Sequence, residues 1–183
     1  DPMSIYNSAA VAATLDLPLN NNLGFAYIVP YNAKQKDGSY KTVAEFHMGY
    51  KGFIQLAQRS GQFKTISASP IYDGQLVEMN PLTGFIFDFK KKNSDKVIGY
   101  AAYFSLINGF EKTLYFSVDD INKHAGKYSQ TFKKGFGLWK DDYESMATKT
   151  VLKLLLSKFA PLSVEMQKAV LVDQGIIKDE NAT

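Results

Sequence analysis

The spacing of hydrophobic and polar positions divides this chain into blocks of different period. The first 22 residues are mostly small and polar, run into LPLNNNLG, and read as an arm with weak order. FAYIVPYN (25–32) and YKTVAEFHM (40–48) have the make-up of strands, and Asp37-Gly38 between them suits a hairpin tip, where positive φ is needed. Pro30 has no N–H for a ladder, so its strand belongs at an edge or carries a bulge. From about Tyr50 to Ser60 the spacing predicts a helix, closed by Gly61 in a left-handed position. Between Phe63 and Phe116 the period falls to two. FKTISASPIYDG, LVEMN, GFIFDF, VIGYAAYFSLI and KTLYFS are separated by turn signals at DG, NPLTG, KKNSD and NGFE, which predicts antiparallel meander pairing. Ser117 opens a helix as N-cap, with Asp119 and Asp120 in the first turn, where the helix dipole favours acids. Asp141 or Asp142 caps a long helix to about Phe159, Pro161 stops it, and Ser163 opens a last helix through about Asp173. The pattern predicts an α+β fold: an antiparallel β-sheet with an N-terminal hairpin, packed against helices, the longest near the C-terminus. A single domain is expected over 1–183, with an arm (1–22), an α+β core (23–173) and a polar tail (174–183).

Two of these helices carry a basic side. At about 100° per residue, Ala147, Val151, Leu152, Leu154, Leu155, Leu156 and Phe159 cover roughly 200° of the long helix, the mark of a deeply buried element. The remaining stripe holds Asp142, Lys149, Lys153 and Ser157, while Lys158 falls near the opposite side. Lys149 and Lys153 are neighbours of like charge, which costs a few tenths of a kcal/mol and suggests an external anion. Two solvated lysines lying over apolar surface fit the same spacing. On the helix from Tyr50, an apolar face of Tyr50, Phe53, Ile54 and Ala57 opposes Lys51, Gln55, Gln58 and Arg59. Amides and cations on one face suit phosphate and sugar contacts, though an ordinary solvated face looks alike.

Charge sharpens the picture. The net charge is only +3, but residues 1–88 carry six Lys/Arg against seven Asp/Glu, 89–158 carry thirteen against seven, and 159–183 carry two against four. Positive charge thus gathers in the third quarter of the chain, as on a surface for a polyanion. Its densest part is KHAGKYSQTFKKGFGLWK (123–140), with five lysines, four aromatic rings, three glycines and no acid. Lys127, Lys133 and Lys134 are candidate phosphate contacts there. Tyr128, Phe132, Phe136 and Trp139 are candidates for stacking on bases, and Trp139 also reads as a hydrophobic staple ahead of the long helix. The stretch is expected to be a flexible cationic wall, ordered by its ligand or by a neighbouring subunit.

Other chemistry is scarce. Hydrophobic residues make up 45% of the 183, no apolar run approaches membrane-spanning length, and the start lacks the basic region of a secretory signal. There is no cysteine, so disulfides and thiolate metal sites are excluded, and a cytoplasmic location is expected. Gly126-Lys127 lacks the upstream glycine of a phosphate-binding loop, and Gly135-Phe136-Gly137 is too short for a dinucleotide fingerprint. The only histidines, His47 and His124, have no metal-ligand spacing. The carboxylates Asp119, Asp120, Asp141, Asp142 and Glu144 sit at helix starts, where capping explains them more simply than Mg²⁺. No enzyme activity and no cofactor are expected.

GFAYIVPY, FHMGYKGFIQLAQRSG, GYAAYFSLINGFEKTLYFS and WKDDYESMATKTVLK followed by APLS resemble, in order and spacing, the RecT family of phage and prophage single-strand annealing proteins. The resemblance covers essentially the ordered chain. It implies ATP-independent binding of single-stranded DNA, annealing of complementary strands, and assembly into rings or filaments with a positively charged groove continuous between subunits. It implies that Lys149 and Lys153 are groove lysines, with Lys51 of GYKG a further candidate. Arg59 is added from its place on the same polar face. The expected partners are single-stranded DNA, the annealed duplex and other copies of the chain, with a phage exonuclease and a host single-strand-binding protein beyond these, and no membrane. Family members often run longer at the carboxyl end, in a tail used for partner proteins. This sequence stops at DENAT, so that function is expected to be absent. An RNA-binding module, a Mg-dependent nuclease and a purely structural assembly protein are the rival readings.

Overall fold

The computed structural model describes residues 1–35, 37–80 and 82–179, with 174–179 described by backbone alone. The elements are α1 (Pro2–Thr14), β1 (Ala26–Lys34), β2 (Tyr40–Met48), α2 (Tyr50–Arg59), β3 (Phe63–Tyr72), β4 (Leu76–Asn80), β5 (Gly84–Phe87), β6 (Val97–Leu106), β7 (Glu111–Ser117), α3 (Val118–Tyr128), α4 (Gln130–Lys134), α5 (Leu138–Asp141), α6 (Tyr143–Phe159) and α7 (Val164–Asp179). They form two compact units, one from Asp1–Leu56 with the C-terminal helix, the other from Ala57–Leu162. The fold is α+β with antiparallel pairing throughout the described sheets, and α6 is the longest helix at 17 residues.

In the first unit, the stretch expected as an arm is a helix. Its hydroxyls explain why the hydrophobic pattern hid it. Ser4 and Ser8, one turn apart on α1, dock on the outer edge of β2. The Ala44 N–H donates to Ser4 Oγ at 2.8 Å, and Ser8 Oγ donates to the Ala44 carbonyl at 2.9 Å. A helix held this way to a strand edge needs only a short apolar contact, supplied by buried Ala12 with Leu15 and Leu17 just beyond. The same contact accommodates Pro30, which faces Ala44 across the hairpin. Because Ala44 turns both of its amide groups toward α1, this register position exchanges no ladder bonds, and the missing N–H of Pro30 costs none. At the hairpin tip Gly38 has φ +84°, and the Ser39 N–H donates to Asp37 Oδ1 at 2.9 Å.

The entry to α2 depends on a close backbone approach. The Gly49 N–H donates to the Phe25 carbonyl at 3.0 Å. A methyl group at Gly49 would collide with the Gly24 carbonyl oxygen, and one at Gly52 with that of Phe25. The motif GYKG therefore has a packing reason for both glycines. α7 packs on β2 and buries Met166, Ala169 and Val170. It runs to Asp179, beyond its expected end near Asp173, so the polar tail expected over 174–183 is helical in backbone as far as Asp179, and 180–183 lie outside the described residues.

In the second unit, the expected single meander is replaced by a three-stranded sheet in the order β3-β6-β7, with β4-β5 as a separate hairpin inserted between β3 and β6. The cause lies at the end of β3. The Asp73 N–H donates to the Lys96 carbonyl at 2.9 Å and the Asn93 N–H to the Asp73 carbonyl at 2.8 Å, so the chain after Tyr72 is already committed to the approach of β6. Buried Gln75 then fastens the hairpin's base, accepting from the Tyr72 N–H through Oε1 and donating to the Phe89 carbonyl. β6, ten residues long like β3, buries Tyr100, Ala102, Phe104 and Leu106 at period two. α6 covers this sheet with Ala147, Thr148, Val151, Leu152, Leu155 and Leu156. Leu154 is half-buried, and Phe159, expected in the buried arc, is 39% exposed with Lys112 Nζ 5.1 Å from its ring centre. It occupies the last turn, where Ala160 is already extended ahead of Pro161.

The contact at Gly52 yields a direct expectation. Gly52→Ala should lower the thermal midpoint by an amount equivalent to about 1–3 kcal/mol, because the obstacle is a carbonyl oxygen rather than a mobile side chain. Calorimetry of the full chain measures it, and an unchanged midpoint would contradict the packing account.

Candidate functional site

The lysine-rich stretch 123–140 is folded, contrary to the expected flexible wall. It spans the end of α3, all of α4 and most of α5. Ser129 makes the corner: its N–H donates to the Ala125 carbonyl at 2.8 Å, closing α3, and its Oγ accepts from the Phe132 N–H at 3.2 Å, opening α4. Gly135, at φ +69°, ends α4 in the left-handed conformation that favours glycine. No helical period shows between Ser129 and Lys140 because α4 and α5, of five and four residues, are too short to display one.

Aromatic packing anchors the stretch. Trp139 is 8% exposed, with Phe132 edge-on at 5.3 Å on one side and Tyr143 at 5.7 Å on the other. Tyr143 continues the chain of rings to Tyr100 at 6.3 Å, and its hydroxyl donates to Asn122 Oδ1 of α3 at 2.8 Å. Burial, followed by the negative charge of Glu144, pushes the Tyr100 hydroxyl up to about 12. Trp139 is therefore a core residue, held by rings on both sides rather than acting as a staple, and its ring is withdrawn from any ligand. Phe132 is half-buried with it, whereas Tyr128 and Phe136 are exposed. Lys123, Lys127, Lys133, Lys134 and Lys140 are all exposed.

Two helices bring cations together around His124. This half-buried imidazole lies on α3 against the Tyr128 ring at 4.7 Å, and Lys127 Nζ sits 5.0 Å from the same ring. Burial and the positive charges of Lys153, Lys158 and Lys127 hold His124 below its ordinary range. Lys127 of α3 and Lys153 of α6 thus share one electrostatic basin. Lys149 lies one turn before Lys153 on the same face, half-buried like it. Lys158, expected near the opposite side of α6, acts on the same imidazole as Lys153. Neither His124 nor Lys158 was singled out from sequence.

Lys133 and Lys134 form the last turn of α4, and Arg59 the last turn of α2, all exposed. Lys51 belongs to the first unit, where its stem and the Tyr27 hydroxyl lie over Gly24. Among the carboxylates at the helix starts, Asp142 caps α6 and Asp120 pairs with the cap residue of α3. Ser117 Oγ accepts from the Asp120 N–H at 3.1 Å and donates to the Asp120 carboxylate at 2.6 Å, while Asp142 Oδ1 accepts from the Ser145 N–H at 3.1 Å. Among the described residues, no group of three or more His, Asp or Glu is arranged to hold a metal ion, and no helix is long and apolar enough to cross a membrane.

Comparison with known proteins agrees with these motifs. Residues 1–183 match the model of the RecT family. Uncharacterized protein YqaK of Bacillus subtilis (strain 168) is 56% identical over 172 residues, covering 93% of this chain and 56% of its own length. Protein RecT of Escherichia coli (strain K12) is 27% identical over 175 residues, covering 95% of this chain and 64% of its own length. The chain thus spans between half and two thirds of the length of these curated relatives.

The His124 basin makes stability depend on pH with a definite sign. An unfolded histidine titrates near 6.5, above His124 in the fold, so the unfolded chain binds the extra proton first. Stability is complete above about pH 6.5 and falls as pH drops toward the folded value, by no more than about 1.4 kcal/mol per pH unit. Urea midpoints at pH 8 and pH 5.5 should diverge more for the wild type than for His124→Gln. Equal losses in both would contradict the basin.

Proposed function

The chain belongs to the RecT family, and from that premise we infer that it binds single-stranded DNA and anneals complementary strands in homologous recombination, without ATP and as an oligomeric ring or filament. The observation that carries this reading is the cationic surface of the second unit, where exposed Lys123, Lys127, Lys133, Lys134 and Lys140 line 123–140 and half-buried Lys149 and Lys153 share one stripe of α6. A surface dense in cations suits a chain of phosphates. Each phosphate neutralised on a single strand releases counterions and steepens the fall of log K with log[salt] by about 0.7.

On this reading Lys127, Lys149 and Lys153 of the second unit hold the sugar–phosphate backbone, Lys133, Lys134 and Arg59 of the same unit are further phosphate contacts, and Lys51 is a separate candidate contact on the first unit. Backbone contacts leave the base edges free, so a second strand tests complementarity by pairing. Base pairing supplies the free energy, and neither a nucleotide-hydrolysing site nor a catalytic group is required. Tyr128 and Phe136 remain exposed rings able to support a base at roughly 1–3 kcal/mol each; buried Trp139 is left out. Other copies of the chain, and in a cytoplasmic phage setting an exonuclease and a host single-strand-binding protein, are the proposed protein partners.

The test is annealing of complementary oligonucleotides without nucleoside triphosphate. Lys149→Ala combined with Lys153→Ala should slow annealing and flatten the salt slope by roughly 1.4, two phosphates' worth, while the thermal midpoint stays within about 1 kcal/mol of wild type. An unchanged slope would remove both lysines from the site. Tighter binding to RNA than to DNA of equal sequence would favour an RNA module instead.

A further inference from the structure

Beyond the lysine basin, the second unit carries a cleft that no sequence motif marked. Where β6 turns into β7, the loop 107–110 meets the last turn of α6 and Gln62. Ile107, Asn108, Phe110, Lys158 and Phe159 join Gln62 in lining an open space of about 730 Å³. That volume lies within the roughly 300–1,000 Å³ of ordinary ligand clefts.

The lining combines three chemistries. Its apolar part is unusually exposed: Ile107 is 71%, Phe110 46% and Phe159 39% accessible. The Phe110 ring is fixed from behind by Phe104 at 5.9 Å, and Phe159 by Lys112, which leaves the rings in place as flat surfaces. Gln62 and Asn108 add carboxamides, and Asn108 is oriented because its Oδ1 accepts from the Phe110 N–H at 3.0 Å. The cation is Lys158, and no lining residue is acidic. Glu111, next in sequence to Phe110, has its carboxylate engaged by the Tyr103 hydroxyl at 2.7 Å.

An apolar peptide would find rings here, but would leave the carboxamides and the uncompensated cation unmatched. A nucleotide matches all three: a flat face for the phenyl rings, ring heteroatoms for the carboxamides, and a phosphate for the ammonium. The cleft's cation, Lys158, stands on α6, the helix that also carries Lys149 and Lys153 of the proposed backbone track. We propose that this cleft holds one unstacked base of the bound single strand, its ring against Phe110 and Phe159 and its phosphate at Lys158. The proposal rests on the reading of the chain as a single-strand binder.

The test compares a thymidine oligomer with an abasic oligomer of equal length and charge, using the full chain. Phe110→Ala with Phe159→Ala should weaken thymidine-oligomer binding about tenfold while affinity for the abasic oligomer and the salt slope stay at wild-type values. Phe110→Leu with Phe159→Leu, which keeps the apolar bulk but removes the flat faces, should show the same selective loss. Emission from Trp139, the single tryptophan, reports whether each variant is folded, and the leucine pair carries the test if the alanine pair is not. Undiminished thymidine binding, or equal loss for both oligomers, would overturn the cleft while leaving the lysine track standing. Undiminished thymidine binding together with weakened self-association would assign the cleft to a second copy of the chain, against the proposal. Failure of the wild type to bind either oligomer would instead overturn the single-strand reading and the cleft with it.

Discussion

The edge-on packing of Trp139 between Phe132 and Tyr143 is the constraint from which the basic surface follows. Each such ring pair contributes about 0.5–1.5 kcal/mol beyond the area it buries. Repulsion between neighbouring exposed lysines costs a few tenths of a kcal/mol per pair. Packing therefore decides the conformation of 123–140, and charge accepts the geometry that packing sets. Because Phe132 and Trp139 take the inner face, the lysines lie on the outer one beside exposed Tyr128 and Phe136.

The same arrangement links elements that sequence separates. Trp139 lies on α5, Phe132 on α4, and Tyr143 opens α6 while bonding Asn122 of α3. Moving any one of these helices disturbs the others. Lys127 on α3 and Lys153 on α6 are thereby tied to one framework, and the positive charges of both help hold His124 below its ordinary range. A cationic surface assembled in this way is set by packing during folding.

Much of the fold was legible from period and punctuation. The hairpin of β1 and β2, the Gly61 stop, the Ser117 cap and the α6 boundaries all follow from local rules, and each acts over a few residues. What stayed hidden depends on partners distant in sequence. α1 is held through Ser4 and Ser8 on the backbone of Ala44, a contact without a hydrophobic signature. The β4-β5 hairpin stands outside the meander because Asp73 pairs with Asn93 and Lys96, which brings the chain ahead of β6 back to the end of β3. At the site, the family motifs pointed to Lys149 and Lys153, and composition pointed to Lys127. Trp139 was ambiguous because a large ring beside lysines suits a base and a core equally well. His124 and Lys158 had no local pattern, since their relation exists only once α3 and α6 pack.

Whether the basic stretch is built before its ligand arrives can be read from hydrogen exchange of the amides in 123–140 with no nucleic acid present. Protection should be measurable in the free protein, including the Ser129 and Phe132 amides that close and open helices there, and should vanish in Trp139→Ala. Exchange at the rate of an unfolded chain, with protection appearing only when single-stranded DNA is added, would contradict the account.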